Sequence, residues 1–445
     1  MLSRTRDTAG LLWSTETRCR CASTLDSTLP TRFHLVLRIL MITDFYAPLV
    51  GGVEIAVRNL AQGLDARGHD VSVATIRSKG LTGFELDNDV RVHRIACTTA
   101  RGGRLFTQRR PWAPPAPDPE AVRDLRRIVD QERPDVVHGH DWLARSFLPL
   151  KRKAGPAFAM SLHYYTLSCA KKSLMIDDAP CSGPALQKCL RCASSHYGMM
   201  KGSGVALANF AFSALERRAV DLFLPVSNAA ARGNGLVGTD LRWEVIPNFV
   251  LDSPLSPASA TLAALLPDEF LLFVGDLRPE KGIDVLLGAY RGLRVAPPLV
   301  LIGKTWANSP RALPPQTVLF EDWPNDAVRE AQRRCLALVA PSTLREPFGM
   351  VALEAFAGGR PVIASRTGGL GELVKDGVNG LLVPPGDGAA LAASLATFLD
   401  VPALRRSLAD GASASAAQFH QDRVLAQVEA AYETMLARSL EGGCA

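Results

Sequence analysis

The chain has 445 residues, 47% of them apolar and 21% charged, which is ample for two globular domains and too apolar for a disordered polymer. Its formal net charge of +6 suits phosphate-bearing ligands or an anionic surface without demanding either, and gives no reason to expect nucleic acid as a partner. No apolar run is as long as a membrane span, and nine cysteines with no recognisable signal peptide do not make a secreted disulfide scaffold, so a reducing cytoplasm is the default expectation.

Residues 1–34 are rich in Ser, Thr and Arg, show no periodicity, and are expected to form a disordered extension; Asp7, Glu16 and Asp26 argue against a targeting segment. Order is expected to begin with a strand from Arg38, followed by a loop over 44–54 and a helix to about Arg67. Gly51 and Gly52 fall at that turn, where a missing Cβ lets a ligand approach the backbone; a tight turn without any ligand is the commoner reason for such a pair. A second strand is expected over 71–76, then a basic connection (Arg101, Arg104, Arg109, Arg110) and a proline cluster over 111–119, both reading as surface loop.

Two further strands end in VVHGHD (136–141) and AMSLH (159–163). A histidine at the carboxyl end of a parallel strand faces the crevice where doubly wound folds bind ligands, which makes His138, His140 and His163 candidates alongside Asp141, with a structural role the alternative for each. Lys151, Arg152 and Lys153 offer a peripheral contact with anionic lipid, although most such runs are merely solvated. Cys169, Cys181, Cys189 and Cys192 follow with spacings of x11, x7 and x2, which suggests one tetrahedral structural zinc, with unligated thiols or a redox pair as the alternatives. Four thiolates leave no open position for chemistry, so such a metal would hold the insert rather than react.

A buried strand over 221–227 and the segment 243–250 close a first domain, 35–250, and the Pro/Ser stretch 252–259 reads as a linker. Strand and helix alternation resumes over 269–287, and strands over 298–302, 317–320 and 336–340 complete the sheet core of a second domain, 251–417. A last amphipathic segment, about 418–436, leads into the end of the chain at 445.

The most informative stretch is 342–354, STLREPFGMVALE. It follows an apolar run, turns helical near Phe348 and stops at Gly358 and Gly359, so it reads as strand, loop and helix N-terminus, with unpaired first-turn N–H groups that suit a phosphate. Glu346 precedes the helix and Glu354 lies inside it, eight residues on. A carboxylate beside a diphosphate would be repelled, so the two are better employed on hydroxyls at opposite ends of one extended ligand.

EPFGMVALEAFAGGRPVIA (346–364) and TGGLGELVKDGVNGLLVPPGD (367–387) closely resemble family four of the retaining glycosyltransferases, the group that includes glycogen synthase-like and phosphatidylinositol mannosyltransferase-like enzymes. The resemblance runs from about Arg38 to about Tyr432. It implies the α/β GT-B architecture, two facing Rossmann-like domains with parallel sheets, and a terminal helix (418–445 with its tail) that crosses back to the first domain. It also implies a nucleoside diphosphate sugar donor, a hydroxyl acceptor (glycan, lipid or small molecule), retention of configuration, and no metal or other cofactor for catalysis.

The matching positions imply roles. Gly52 borders the donor sugar and acceptor, and His163 contacts the donor sugar. Gly275, Arg278 and Lys281 form the phosphate loop, where the two cations neutralise the departing diphosphate. Phe348, Gly349, Met350 and Val351 offer the helix N-terminus, Glu346 orients the sugar, Glu354 holds the ribose, and Glu321, Asp322 and Trp323 lie where relatives hold the base. Asp276 departs from the pattern, since arginine usually stands there: either Arg278 substitutes, or Asp276 points away, or catalysis is weaker. A nucleotide-sugar epimerase of the same architecture and a non-catalytic nucleotide-sugar-binding protein are the rival readings.

Overall fold

The computed structural model describes residues 35–49, 51–101, 112–177, 179–251 and 254–441. The extension read over 1–34 and most of the basic connection, including Arg104, Arg109 and Arg110, lie outside them.

The described residues of the first half of the chain form nine strands: β1 Arg38–Thr43, β2 Asp70–Ile76, β3 Phe84–Asp87, β4 Val90–Ile95, β5 Val136–Gly139, β6 Ala157–Leu162, β7 Met175–Ile176, β8 Ala179–Pro180 and β9 Leu222–Pro225. Seven form one sheet, ordered β3-β4-β2-β1-β5-β6-β9, parallel except for β3 on β4. Its central strands are buried almost end to end because helices cover both faces, as a parallel sheet requires. The β3–β4 hairpin has no counterpart in the sequence reading. β3 alternates exposed and half-exposed positions at the sheet edge, so its apolar content is low and its signal weak.

The second half contributes β10 Leu271–Val274, β11 Leu299–Ile302, β12 Thr317–Phe320, β13 Ala337–Ala340, β14 Val362–Ser365 and β15 Gly380–Val383, in the wholly parallel order β12-β11-β10-β13-β14-β15. The sheet therefore extends two strands beyond the four expected. β14 and β15 are four-residue runs inside the glycine-rich motifs, too short to register as separate elements. Part of the supposed linker is also ordered: Ser256 Oγ accepts the Ser259 N–H at 3.2 Å and caps a helix, Pro257–Ala263, with proline in its first turn.

In each sheet the chain steps outward in one direction and then returns to the other side of its first strand. This leaves a switch point between β1 and β5 and another between β10 and β13, where the loops leaving neighbouring strands diverge and open a crevice. The loops after β10 and β13 carry Lys281 and Glu346, so topology alone brings together residues 65 positions apart.

The helix Gln421–Glu441 packs on the first half of the chain. Val424, Leu425, Val428 and Tyr432 are buried in one core with Ile39, Met41, Val57 and Leu64. The carboxylate of Glu429 accepts a two-pronged contact from Arg67 at 2.8 and 3.0 Å, with His69 Nε2 at 3.1 Å, and the Tyr432 hydroxyl meets His138 Nδ1 at 2.7 Å.

After β6 an insert carries the β7–β8 hairpin and two helices, Leu186–Tyr197 and Met199–Ala219. It is pinned by Arg145, fully buried, whose guanidinium donates to Glu216 at 2.8 Å, Asn209 at 2.9 Å and the Pro115 carbonyl at 2.7 Å. A buried ion pair satisfied on this many sides fixes geometry, because moving either partner would strand a charge in an apolar setting.

Candidate active site

Gly282 adopts φ +74° and a Cβ there would stand 1.9 Å from the Pro341 carbonyl oxygen. Only glycine lets the loop after β10 press against the end of β13 in this way. The contact is extended by Ser342 Oγ and the Thr343 and Leu344 N–H groups, which all donate to the Glu280 carbonyl, at 3.1 Å each. On the other side, the Gly369 N–H donates to the Glu346 carbonyl, and Gly368 at φ +50° leaves no room for a side chain against the same atom.

Between these clamps Lys281 Nζ meets Glu346 Oε1 at 2.6 Å, and Ser342 Oγ reaches the same oxygen at 3.2 Å. Burial works against the Lys281 charge, but Glu346, helped by Asp276 and Glu280, more than offsets it and holds the ammonium above its ordinary pKa. The side chain is still 34% exposed, so this cation is formed and reachable. Asp276, the departure from the family pattern, thus supports the Lys281 charge. Arg278 is turned differently: it pairs with Glu280 at 2.9 Å and lies over the Trp306 ring, 5.2 Å from its centroid.

The helix Met350–Ala357 begins beside Glu346, with Gly349 at φ +110° as its cap and no side chain bonded to the cap. The N–H groups of Met350 and Val351 have no intrahelical acceptor and a dipole behind them, the arrangement that favours an anion. Phe348 itself is core, buried and edge-on to Phe419 at 6.1 Å. Across the crevice, a Cβ on Gly52 would stand 3.7 Å from Met350 Cγ, which puts the glycine turn of the first sheet opposite this helix. Ser227 Oγ donates to the Pro347 carbonyl at 2.5 Å, and the Asn228 N–H and Arg232 both engage Glu372, so the two sheets meet through this loop.

A cavity of about 480 Å³ opens on the Lys281–Glu346 pair. Its other walls come from the first sheet and the insert: Trp112, Pro114, Trp142, Tyr164, Lys171, Lys172, His196, Tyr197 and Lys201, with Arg345 from the Glu346 loop. Lys172 is held by Asp141 at 2.7 Å and sits 3.6 Å from the Trp112 centroid and 4.3 Å from that of Trp142. Asp44, beside it, is pushed up to about 7 by burial and by Asp141, against the pull of Lys172. None of these wall residues was singled out from the sequence as a site residue, although Asp141, which holds Lys172, was; the Lys171-Lys172 pair just after Cys169 and the arginine next to Glu346 were the available signals.

The structure separates other candidates from that cavity. His163 and His140 are buried and stacked, Nε2 to Nδ1 at 3.1 Å, and with His138 they line a smaller cavity closed by Phe249, Val424 and Val428. His163 Nδ1 has no hydrogen-bond partner among the described residues, and the next residue, Tyr164, is the one that reaches the large cavity. Glu354 faces the neighbouring helix, where its carboxylate accepts Gln332 Nε2 at 3.0 Å and burial raises its pKa. Gly275, at φ +146°, ends β10 where its carbonyl is packed against Gly303. Glu321 accepts the Thr305 N–H and hydroxyl at 2.7 Å each, and Lys304 pairs with Asp322 at 3.1 Å.

Burial depresses His163 to about 4, against 6.5 for an exposed imidazole. Between those values the unfolded chain takes up a proton that the folded chain refuses. The stability contributed by the neutral ring is therefore full above 6.5 and declines as pH falls towards 4. Wild type should accordingly lose stability relative to His163→Asn on acidification, read as the difference in urea midpoints between about pH 7 and about pH 4.5.

The four insert cysteines converge without forming a ligand set. Cys169 Sγ accepts the Leu174 N–H at 3.4 Å, while Cys181 and Cys192 donate to the Gly183 and Met175 carbonyls at 3.5 and 3.9 Å. Among the described residues no group of three or more His, Cys, Asp or Glu side chains is arranged to hold a metal. All six described cysteines are free thiols. Elemental analysis of reduced protein is expected to decide between the two: about one zinc per chain would mean the insert rearranges around a metal, and none would mean that backbone bonds hold it.

Residues 51–249 match the family described as glycosyl transferase 4-like domain, and residues 261–414 match glycosyl transferases group 1. A glycogen synthase of Mycobacterium tuberculosis is 30% identical over 403 residues, covering 82% of this chain and 87% of that protein. The chain belongs to glycosyltransferase family four. Its fold is GT-B: the solved sucrose-phosphate synthase from Thermosynechococcus elongatus superposes with a TM-score of 0.69 at 22% identity, over 90% of this chain and 99% of that one. Anabaena Alr3699/HepE, solved in complex with UDP and glucose, superposes at 0.62 and 20% identity, over 89% of this chain and 100% of its own. This glycosyltransferase has no helix among its described residues long and apolar enough to cross a membrane. Lys151 is engaged by Asp221 at 2.7 Å, and the run 151–153 precedes the amino end of β6, opposite the carboxyl ends that open the crevice, so it is not part of the site.

Proposed function

We propose that this glycosyltransferase moves a sugar from a nucleoside diphosphate to a hydroxyl acceptor with retention of configuration and without a catalytic metal. The observation that carries the reading is the Lys281–Glu346 pair, held at the switch point of the second sheet beside the open N–H groups of Met350 and Val351 and facing Gly52.

In this reading the diphosphate lies against the helix N-terminus. Lys281 faces the charge that grows on the leaving oxygen, where a fixed cation stabilises the transition state more than the ground state. Arg278 joins it by exchanging Glu280 for phosphate. Glu346 accepts from a donor-sugar hydroxyl and keeps the Lys281 ammonium in place, His163 supports the sugar side from β6, and Glu354 leaves Gln332 to take the ribose. The acceptor hydroxyl attacks from the face the diphosphate leaves, and a phosphate oxygen takes its proton. HepE, of the same fold, is named with bound UDP and glucose, which supports a donor of this class. A cytoplasmic setting is part of the proposal, and the free thiols of the described cysteines support it.

The test is incubation with UDP-, GDP- and ADP-sugars and a panel of hydroxyl acceptors, with product configuration read by NMR and chelator added. Transfer with retention, unaffected by chelator, supports the proposal. Donor epimerisation without acceptor, or binding with no turnover on any acceptor, refutes it.

A further inference from the structure

We propose that the acceptor carries a phosphomonoester, bound in the cavity next to the Lys281–Glu346 pair by Lys171 of the insert together with Lys201 and His196. The inference deepens the transfer reading above and rests on it.

The charge balance of the cavity leads there. Five of its lining residues are lysine or arginine and one, Glu346, is a carboxylate. Glu346 answers Lys281, and Asp141 answers Lys172. Lys171 and Arg345 are half-buried, and among the described residues neither side chain has a hydrogen bond or ion pair. Half-buried cations without counter-charge call for an anion from outside.

The donor diphosphate is not the obvious source. Its proposed seat is the second-domain wall, at Lys281 and the Met350 N–H, whereas Lys171, His196 and Lys201 come from the insert; Arg278 lies close enough to act on His196, so the two seats adjoin and the test fills the diphosphate seat first. Burial, with Lys171, Arg278 and Lys201 nearby, keeps the His196 ring below its ordinary pKa, so it offers a neutral N–H to a phosphate oxygen already held by cations. A phosphate dianion presents three acceptor oxygens, enough for all three groups. Trp112, Pro114, Tyr197 and Val205, also in the lining, form an apolar and partly aromatic surface that suits the carbon face of a sugar-like ring. A cavity of about 480 Å³ has room for such a ring with its phosphate.

The experiment saturates the protein with whichever of UDP, GDP or ADP stabilises it, then titrates glucose 6-phosphate and fructose 6-phosphate against the unphosphorylated sugars, reading thermal shift. The phosphorylated sugars should add a further shift and the free sugars should not. Lys171→Ala should weaken that effect about tenfold and Lys171→Arg should retain it. Vesicles containing phosphatidic acid form a second arm: competition between vesicles and sugar phosphate supports the phosphate seat and assigns its natural source to a lipid headgroup.

Three results overturn the inference while leaving sugar transfer intact. They are equal shifts from phosphorylated and free sugars, loss of the phosphate effect once nucleotide saturates, and an unaltered Lys171→Ala variant. If no nucleotide diphosphate binds at all, the transfer reading fails first and this inference falls with it.

Discussion

Glu346→Ala is expected to lower kcat/KM for sugar transfer by about 100-fold or more while leaving the protein folded. The size follows from what Glu346 does in two directions. It sits 2.6 Å from the Lys281 ammonium and fixes where that cation points, and it lines the cavity proposed to take the donor sugar. Removing it releases a flexible lysine chain at the place where leaving-group charge develops. The cost in stability is small by comparison, about 1 kcal/mol or less, because the pair is partly solvated and screened. Thermal unfolding beside steady-state kinetics separates the effects. A variant with normal kcat/KM, or one whose activity loss merely tracks a large fall in Tm, would remove Glu346 from the mechanism. Glu346→Gln is the finer probe: it keeps a hydrogen-bond acceptor for the sugar but loses the charge that supports Lys281, so partial activity locates the role on the sugar and full loss locates it on the lysine.

Gly282→Ala is expected to damage both stability and activity, by about 3 kcal/mol and nearly all turnover. The residue is at φ +74°, where an L side chain costs about 1–2 kcal/mol, and its Cβ would lie inside the Pro341 carbonyl, a backbone atom with no rotamer to retreat into. Relief requires the loop after β10 to lift from the end of β13. That motion pulls Lys281 off Glu346, so the loss of catalysis should exceed what the residual folded fraction explains. Urea unfolding gives the first quantity and activity per folded molecule the second. Alanine at Gly377, also at positive φ but with nothing within 4 Å of a Cβ, is the control and should show the backbone cost alone.

How much of this was legible in the sequence differs by element. The strand preceding STLREPFGM was visible because a strand buried on both faces is a plain apolar run, and the helix after it because glycines punctuate both ends. Glu346 and Lys281 were legible as candidates since they stand in short motifs whose backbone geometry needs glycine nearby. The β3–β4 hairpin and the last two strands of the second sheet were not, being short, at an edge, or hidden inside motif letters that draw attention to chemistry instead. The cysteine spacing was legible too, but spacing carries no information on how closely the thiols converge; in the fold Cys169, Cys181 and Cys192 contact backbone amide and carbonyl groups.

The sequence by itself determined the strand and helix alternation of two halves and, through the motifs of 346–387, the family and Lys281 and Glu346 as candidates, because those depend on local periodicity and on short runs of neighbouring letters. Only the tertiary structure decided that Lys281 would reach Glu346, that His163 would stack on His140 behind the cavity wall, and that the insert would bring Lys171 and Trp112 to face the second sheet. Each of those depends on strand order and on the closing of long loops. Such contacts form between residues far apart in the chain, so no pattern of neighbouring letters records them.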